Sequence, residues 1–169
     1  MNINDLLIYG RKSLLNTSVK EAPLKIRLLA EHVLKMNKYE LVIHHTKEIS
    51  EEEFNSFNIG LEKIKNYIPI QYITNNQEFM KLNFYVDENV LIPQPDTEIL
   101  VQEILEKIKP GDKILDLCTG SGAIGVSIGN IKKKENLKIV LSDVSEDALK
   151  VAKKNAEKNG IEVEIIESD

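Results

Sequence analysis

Apolar residues recur at helical spacing through the first 66 residues. Leu6, Leu7, Leu14 and Leu15 mark a first helix that Asn4 or Asp5 can cap. Pro23 stands where a second helix can begin, and Leu24, Leu28, Leu29, Val33 and Leu34 then return to roughly one face. A shorter apolar segment covers Tyr39 to His45. Ser50 with Glu53 three residues on has the form of a capping box, and Phe54, Phe57, Leu61 and Ile64 follow at helical spacing. Such stripes bury their apolar faces against one another, so the spacing predicts a small helical bundle over residues 1–68.

The period then changes. In residues 69–92, bracketed by Pro69 and Pro93, Phe79, Leu82, Phe84 and Val86 alternate loosely, as in short strands joined by a tight turn. This segment reads as a β-hairpin linker. From residue 93 the pattern becomes α/β. Asp96 or Thr97 can cap a helix through Ile108, with Ile99, Leu100, Ile104 and Ile108 inward. KILDL (113–117) is a buried strand, and a glycine-containing loop leads into a short helix from about Gly122. KIVLSD (138–143) is a second strand. Ser145 caps a helix to Asn159, Gly160 stops it, and IEVEIIESD begins a third strand. Alternating strands and helices with short connections imply parallel strands and right-handed crossovers, the first half of a Rossmann-like α/β domain over residues 93–169.

Composition narrows the class. Of 169 residues, 42% are hydrophobic and 29% charged, a globular balance. No apolar run approaches the roughly 20 residues of a membrane helix, and the N-terminus lacks the apolar core of a signal peptide. The one cysteine, Cys118, has no partner for an internal disulfide, so the cytoplasm is the expected compartment. Net charge is -5. It is uneven, with ten Lys/Arg against nine Asp/Glu in residues 1–75 and twelve against eighteen beyond. That argues against direct nucleic-acid binding, which favours a basic face. Only Arg11 and Arg27 are arginines, so bidentate anion clamps are scarce.

The chemistry concentrates in ILDLCTGSGAIGVSIG (114–129). The loop Cys118-Thr119-Gly120-Ser121-Gly122 follows the first α/β strand, where glycines let a ligand approach bare backbone and a helix N-terminus presents N–H groups. Gly120-Ser121-Gly122-Ala123-Ile124-Gly125 matches G-x-G-x-x-G in letters, but its glycines start late relative to the strand. Asp143 ends the next strand, where a carboxylate accepts from ribose hydroxyls or caps the Ser145 helix. Asp116 either faces the amino-acid end of a cofactor or bonds to loop amides. Carboxylates here would repel a pyrophosphate and attract the sulfonium and ammonium of S-adenosylmethionine. No G-K-[ST] follows the loop, and no Cys/His cluster has metal-ligand spacing. His32, His44 and His45 lie in the helical region as surface or packing residues.

PIQYIT (69–74), EFMKLNFYVDENVLIPQPDTEILV (78–101), LDLCTGSGAIGVSIG (115–129) and SDVSEDALKVAKKNAEKNG (142–160) together resemble the release-factor glutamine methyltransferases, the HemK/PrmC family. The L-I-P-x-P-D-T-E segment is specific to that family, whereas the loop alone indicates a class I methyltransferase. The resemblance implies a helical substrate-recognition domain, a hairpin linker and a methyltransferase domain. It implies methyl transfer from S-adenosylmethionine to the side-chain amide of the glutamine in the Gly-Gly-Gln motif of class 1 release factors. Thr119, Gly120, Ser121 and Gly122, flanked by Asp116 and Cys118, would cradle the methionine part, and Asp143 would hold the ribose. Gln94 and Pro95 would lie on the substrate side, and Ser168-Asp169 beside the adenine.

The family usually has Gly at Cys118 and Arg at Gln94. Its catalytic Asn-Pro-Pro-Tyr, which positions the glutamine amide, does not occur in this chain, so no catalytic residue is assigned. The chain reads as a fragment that ends at the third strand, with the first strand an exposed apolar edge inviting self-association. The alternatives are a related class I methyltransferase acting on nucleic acid or another protein, and a non-catalytic module that binds release factor without turnover.

Overall fold

The computed structural model describes residues 1–168. Asp169, and with it half of the Ser168-Asp169 pair, lies outside the described residues. The chain divides after Thr74 into two compact units, each with its own hydrophobic core.

The first unit is helical: α1 (Ile3–Ser13), α2 (Ala22–Leu34), α3 (Lys38–Ile43), α4 (Glu51–Lys65) and α5 (Ile70–Thr74). Three of these helices open on capping boxes. The Ser50 hydroxyl accepts from the Glu53 N–H at 3.1 Å while the Glu53 carboxylate accepts from the Ser50 N–H at 2.7 Å, as the spacing predicts. Asn37 and Glu40 do the same for α3. At α1 the cap is Asn2 rather than Asn4 or Asp5. Asp5 is the third helical residue and returns a bond to the Asn2 N–H, so two free donors are satisfied at once.

The buried stripe of α2 is Ile26, Leu29, Ala30 and Leu34. Leu24 departs from the predicted face and is 40% exposed, because steps of three and four from Ile26 place it off the stripe. Phe57, Leu61 and Ile64 of α4 close the same core with Ile3 and Leu6. Residues 70–74, expected within the hairpin segment, instead form α5, since Pro69 begins a helical turn whose carbonyl accepts from the Tyr72 and Ile73 N–H groups.

The second unit begins with a two-stranded antiparallel hairpin, β1 (Gln77–Phe79) and β2 (Leu82–Phe84). Met80 and Lys81 at the turn have φ of 50° and 62°, the left-handed pair of a type I′ turn that matches strand twist. The Met80 N–H donates to the Glu98 carboxylate at 2.7 Å. Phe79 and Phe84 meet edge to face with centroids 6.0 Å apart and share a core with Val101, Val126 and Leu141. Full burial of each ring is worth about 2 kcal/mol, which fastens the hairpin to this unit.

Helix α6 (Pro95–Leu105) starts earlier than predicted. Gln94 is its N-cap and Pro95 takes the first position, where its fixed φ suits a helix and its missing N–H costs nothing. Val101 is the fully buried residue of α6, and Ile99 and Leu100, expected inward, are exposed, so the inner stripe continues through Ile104, Leu105 and Ile108. Then follow β3 (Lys113–Leu117), α7 (Ala123–Ile131), β4 (Lys138–Asp143), α8 (Glu146–Lys158) and β5 (Glu164–Glu167). The strands form a parallel sheet in the order β3-β4-β5, with Asp116 opposite Leu141 and Asp143 opposite Glu167. This is the α/β arrangement predicted from the alternating periods. Among the described residues β3 pairs on one side only, and its Leu115 and Leu117 are exposed. No helix among the described residues is long and apolar enough to cross a membrane.

Candidate functional site

The loop after β3 bends sharply. Cys118, Gly120 and Gly122 have φ of 57°, 54° and 79°. Glycine takes that region freely, whereas the Cys118 side chain costs about 1 kcal/mol there. Cys118 is nonetheless exposed, with its neighbours forming the turn: the Thr119 N–H donates to the Ser142 carbonyl at 2.8 Å, and the Gly122 N–H donates to the Thr119 carbonyl at 2.9 Å. Gly122 then caps α7.

Asp143, at the end of β4, joins the loop directly. Its Oδ2 accepts from the Gly120 N–H at 2.9 Å and its Oδ1 from the Ser145 N–H at 3.0 Å. Ser145 caps α8 as predicted, its hydroxyl accepting from the Ala148 N–H. Asp143 therefore fastens the approach to α8 and the glycine loop together. A carboxylate has about four acceptor positions, so each oxygen keeps capacity for a further donor.

Of the two roles open to Asp116, bonding within the loop is the one present. Its Oδ2 accepts from the Thr119 hydroxyl at 2.7 Å and from the Gly125 N–H at 2.9 Å. Burial pushes the Asp116 carboxyl above the ordinary carboxylate range and the charge of Asp143 adds to this, while the bonds from Thr119 and Gly125 oppose it. The folded chain thus holds this proton more tightly than the unfolded one. The burden on stability is full above the shifted value and fades as pH falls through it.

Sequence reading overlooked Asn155. It is fully buried on α8 and bonds three backbone groups: the Tyr85 N–H donates to its Oδ1 at 2.6 Å, and its Nδ2 donates to the carbonyls of Tyr85 and Ser121, each at 2.9 Å. One side chain thereby ties the segment leaving the hairpin to the glycine loop. The signal was available. Asn155 falls on the apolar stripe of Ala148, Val151, Ala152 and Ala156, where a polar residue requires partners.

Gln94 and Pro95 are exposed at the start of α6, and the Gln94 amide donates back to the Ile92 carbonyl at 2.9 Å rather than to the loop. His32 lies in the helical unit, with its pKa lowered by burial and by the Lys35 charge. His44 and His45 are exposed.

The geometry fits a cationic nucleoside. A Cβ built on Gly120 would meet nothing within 4 Å, so a ligand has open access to that backbone. Among the described residues neither Asp116 nor Asp143 is paired with a Lys or Arg, and Asp143, the less buried of the two, keeps acceptor capacity for a further donor.

Comparison with known proteins matches the two parts separately. The PrmC N-terminal domain family matches residues 5–74, and the methyltransferase small domain family matches residues 93–169. The chain is 40% identical over 157 residues to a release factor glutamine methyltransferase of Clostridium acetobutylicum, an alignment covering 92% of this chain and 54% of that protein. Over most of its length the chain is thus similar to release factor glutamine methyltransferases. Other relatives of the same name include those of Borreliella burgdorferi, 39% identical with 100% of this chain and 57% of the relative covered, and of Clostridium botulinum, 36% identical with 100% and 60% covered. The chain thus spans somewhat more than half the length of these release factor glutamine methyltransferases, and the glycine loop, Asp143 and Asn155 all lie in the part matched as a methyltransferase domain.

Proposed function

We propose that residues 93–169 provide the S-adenosylmethionine-binding part of an enzyme that methylates the side-chain amide of the glutamine in the Gly-Gly-Gln motif of class 1 release factors. On this reading residues 1–68 recognise the protein substrate and residues 69–92 link the two. The supporting observation is the bond between the Gly120 N–H and the Asp143 carboxylate, which brings loop and acid together at the ends of adjacent parallel strands. When bound, the cofactor supplies a methyl group activated by a sulfonium. The chain's own residues bind and orient: Thr119, Gly120, Ser121 and Gly122 offer loop backbone beside the methionine part, with Cys118 at the turn. Asp116 contributes negative charge and Asp143 accepts from the ribose hydroxyls. Gln94 and Pro95 stand toward the substrate.

Calorimetric titration of the chain with S-adenosylmethionine tests this. Binding is expected, and Asp143→Ala should weaken it by about 2 kcal/mol, the worth of charge-assisted hydrogen bonds. Asp143→Asn, which keeps one acceptor, should fall between. Unchanged affinity in both variants would return Asp143 to capping alone.

We also propose that the chain self-associates through the outer edge of β3, which among the described residues pairs with no strand and carries the exposed Leu115 and Leu117. Sedimentation should show dimers or larger species growing with concentration. A monomer at all concentrations would refute it.

A further inference from the structure

Both arginines of the chain stand over one cavity of the helical unit, a hollow of about 360 Å³ between α1, α2 and α3. Leu7 and Leu41 give it an apolar floor, and Arg11, Arg27 and Lys38 give it a cationic rim. Among the described residues no acidic one lines it, in a chain of net charge -5. Arg27 is paired with Glu31 one turn away. Arg11 is exposed, and among the described residues no ion pair or side-chain hydrogen bond engages its guanidinium. The Lys38 ammonium rests over the Tyr39 ring at 5.0 Å. Beside the rim, α3 leaves Tyr39, Val42 and Ile43 about two-thirds or more exposed, at 68%, 71% and 69%. Isolated apolar residues on a surface need no explanation, but an apolar shelf adjoining a cavity ringed by cations marks a binding surface.

We propose that this cavity docks an acidic, leucine-type segment of a protein partner. An aliphatic side chain of the partner fills the floor over Leu7 and Leu41, and flanking carboxylates pair with Arg11 and Lys38. Guanidinium forks match carboxylates bidentately. A phosphate backbone would use the cations but gain nothing from the apolar floor, so the combination favours peptide over nucleic acid. The inference rests on the reading above that the helical unit recognises the protein substrate, and it adds the surface and the chemistry of the segment recognised.

The test uses the whole chain and a short fluorescein-labelled peptide alternating leucine and glutamate, with the leucine–glutamine peptide as control, followed by anisotropy. Arg11→Glu and Lys38→Glu reverse exposed charges, and circular dichroism verifies that each variant folds. The acidic peptide should bind, with affinity falling as salt rises. Each reversal, and the change to the glutamine peptide, should weaken binding about tenfold. Equal affinity for both peptides, or indifference to Arg11→Glu, would overturn the proposal, as would displacement of the peptide by a single-stranded RNA. The same samples are titrated with S-adenosylmethionine. Loss of peptide binding by the unmodified chain with the cofactor still bound would refute this docking site alone, whereas failure to bind the cofactor would refute the methyltransferase reading instead.

Discussion

Asn155→Ala should remove about 3 kcal/mol from the stability of the second unit, measured by urea denaturation. The side chain serves one donor and two acceptors of the backbone, and truncation strands all of them. A buried polar group left unpaired costs about 1–3 kcal/mol. Entry of water into the vacated space would recover part of this, which brings the expectation below the simple total. Asn155→Asp makes the argument sharper. It preserves the acceptor for the Tyr85 N–H but cannot donate to Tyr85 and Ser121, and it buries a charge against two carbonyls. It should be no more stable than the alanine variant. A loss under about 0.5 kcal/mol in both, the scale of an ordinary surface change, would show that the three bonds do not hold the loop.

Gly125→Val should destabilise by about 3 kcal/mol or more, read in the same denaturation experiment. A Cβ at this position of α7 would lie 2.4 Å from the Leu141 Cδ2 and 3.2 Å from the Asp116 Oδ2. Leu141 is fully buried, so its side chain must give way within the core. Helix propensity acts the other way, since replacing a helical glycine gains up to about 1 kcal/mol, less in the first turn where Gly125 lies. Overpacking of a close-packed core costs about 1–3 kcal/mol for small insertions, and the branched valine adds bulk on both sides. The sign of the result therefore decides which effect governs. A stabilised Gly125→Val would mean that α7 and Leu141 yield to the added bulk and that helix propensity governs.

The parallel sheet was legible because each of its strands carries a short apolar run ending in a polar residue, and each helix between them has an unambiguous start or stop, as with Ser145 and Gly160. The helical unit was legible for the same reason at Ser50 and Glu53. Errors fell where several neighbouring residues compete for one role. Asn2, Asn4 and Asp5 can each cap a helix, and tertiary bonds, from the Ile3 N–H to the Lys47 carbonyl and from the Asn4 N–H to the His45 carbonyl, fix the chain entry where Asn2 is the cap. In α6, Ile99, Leu100 and Val101 are consecutive and equally apolar, so the buried one depends on what packs against the helix. At the site, Asp143 and the glycines were visible from their positions after strands. Asn155 stands out as a polar residue on an apolar stripe, but its partners, backbone groups of Tyr85 and Ser121 that lie 70 and 34 residues away, leave no trace in side-chain spacing.

Asp143 grips Gly120 with one oxygen and Ser145 with the other. A guest that takes hold of this carboxylate therefore shares it with the two amides that keep the turn in shape. On the proposed reading occupancy and local order would be one equilibrium: a guest that favours the ordered turn would stiffen it and the entrance to α8, and whatever loosens that turn would weaken the hold on the guest by the same free energy.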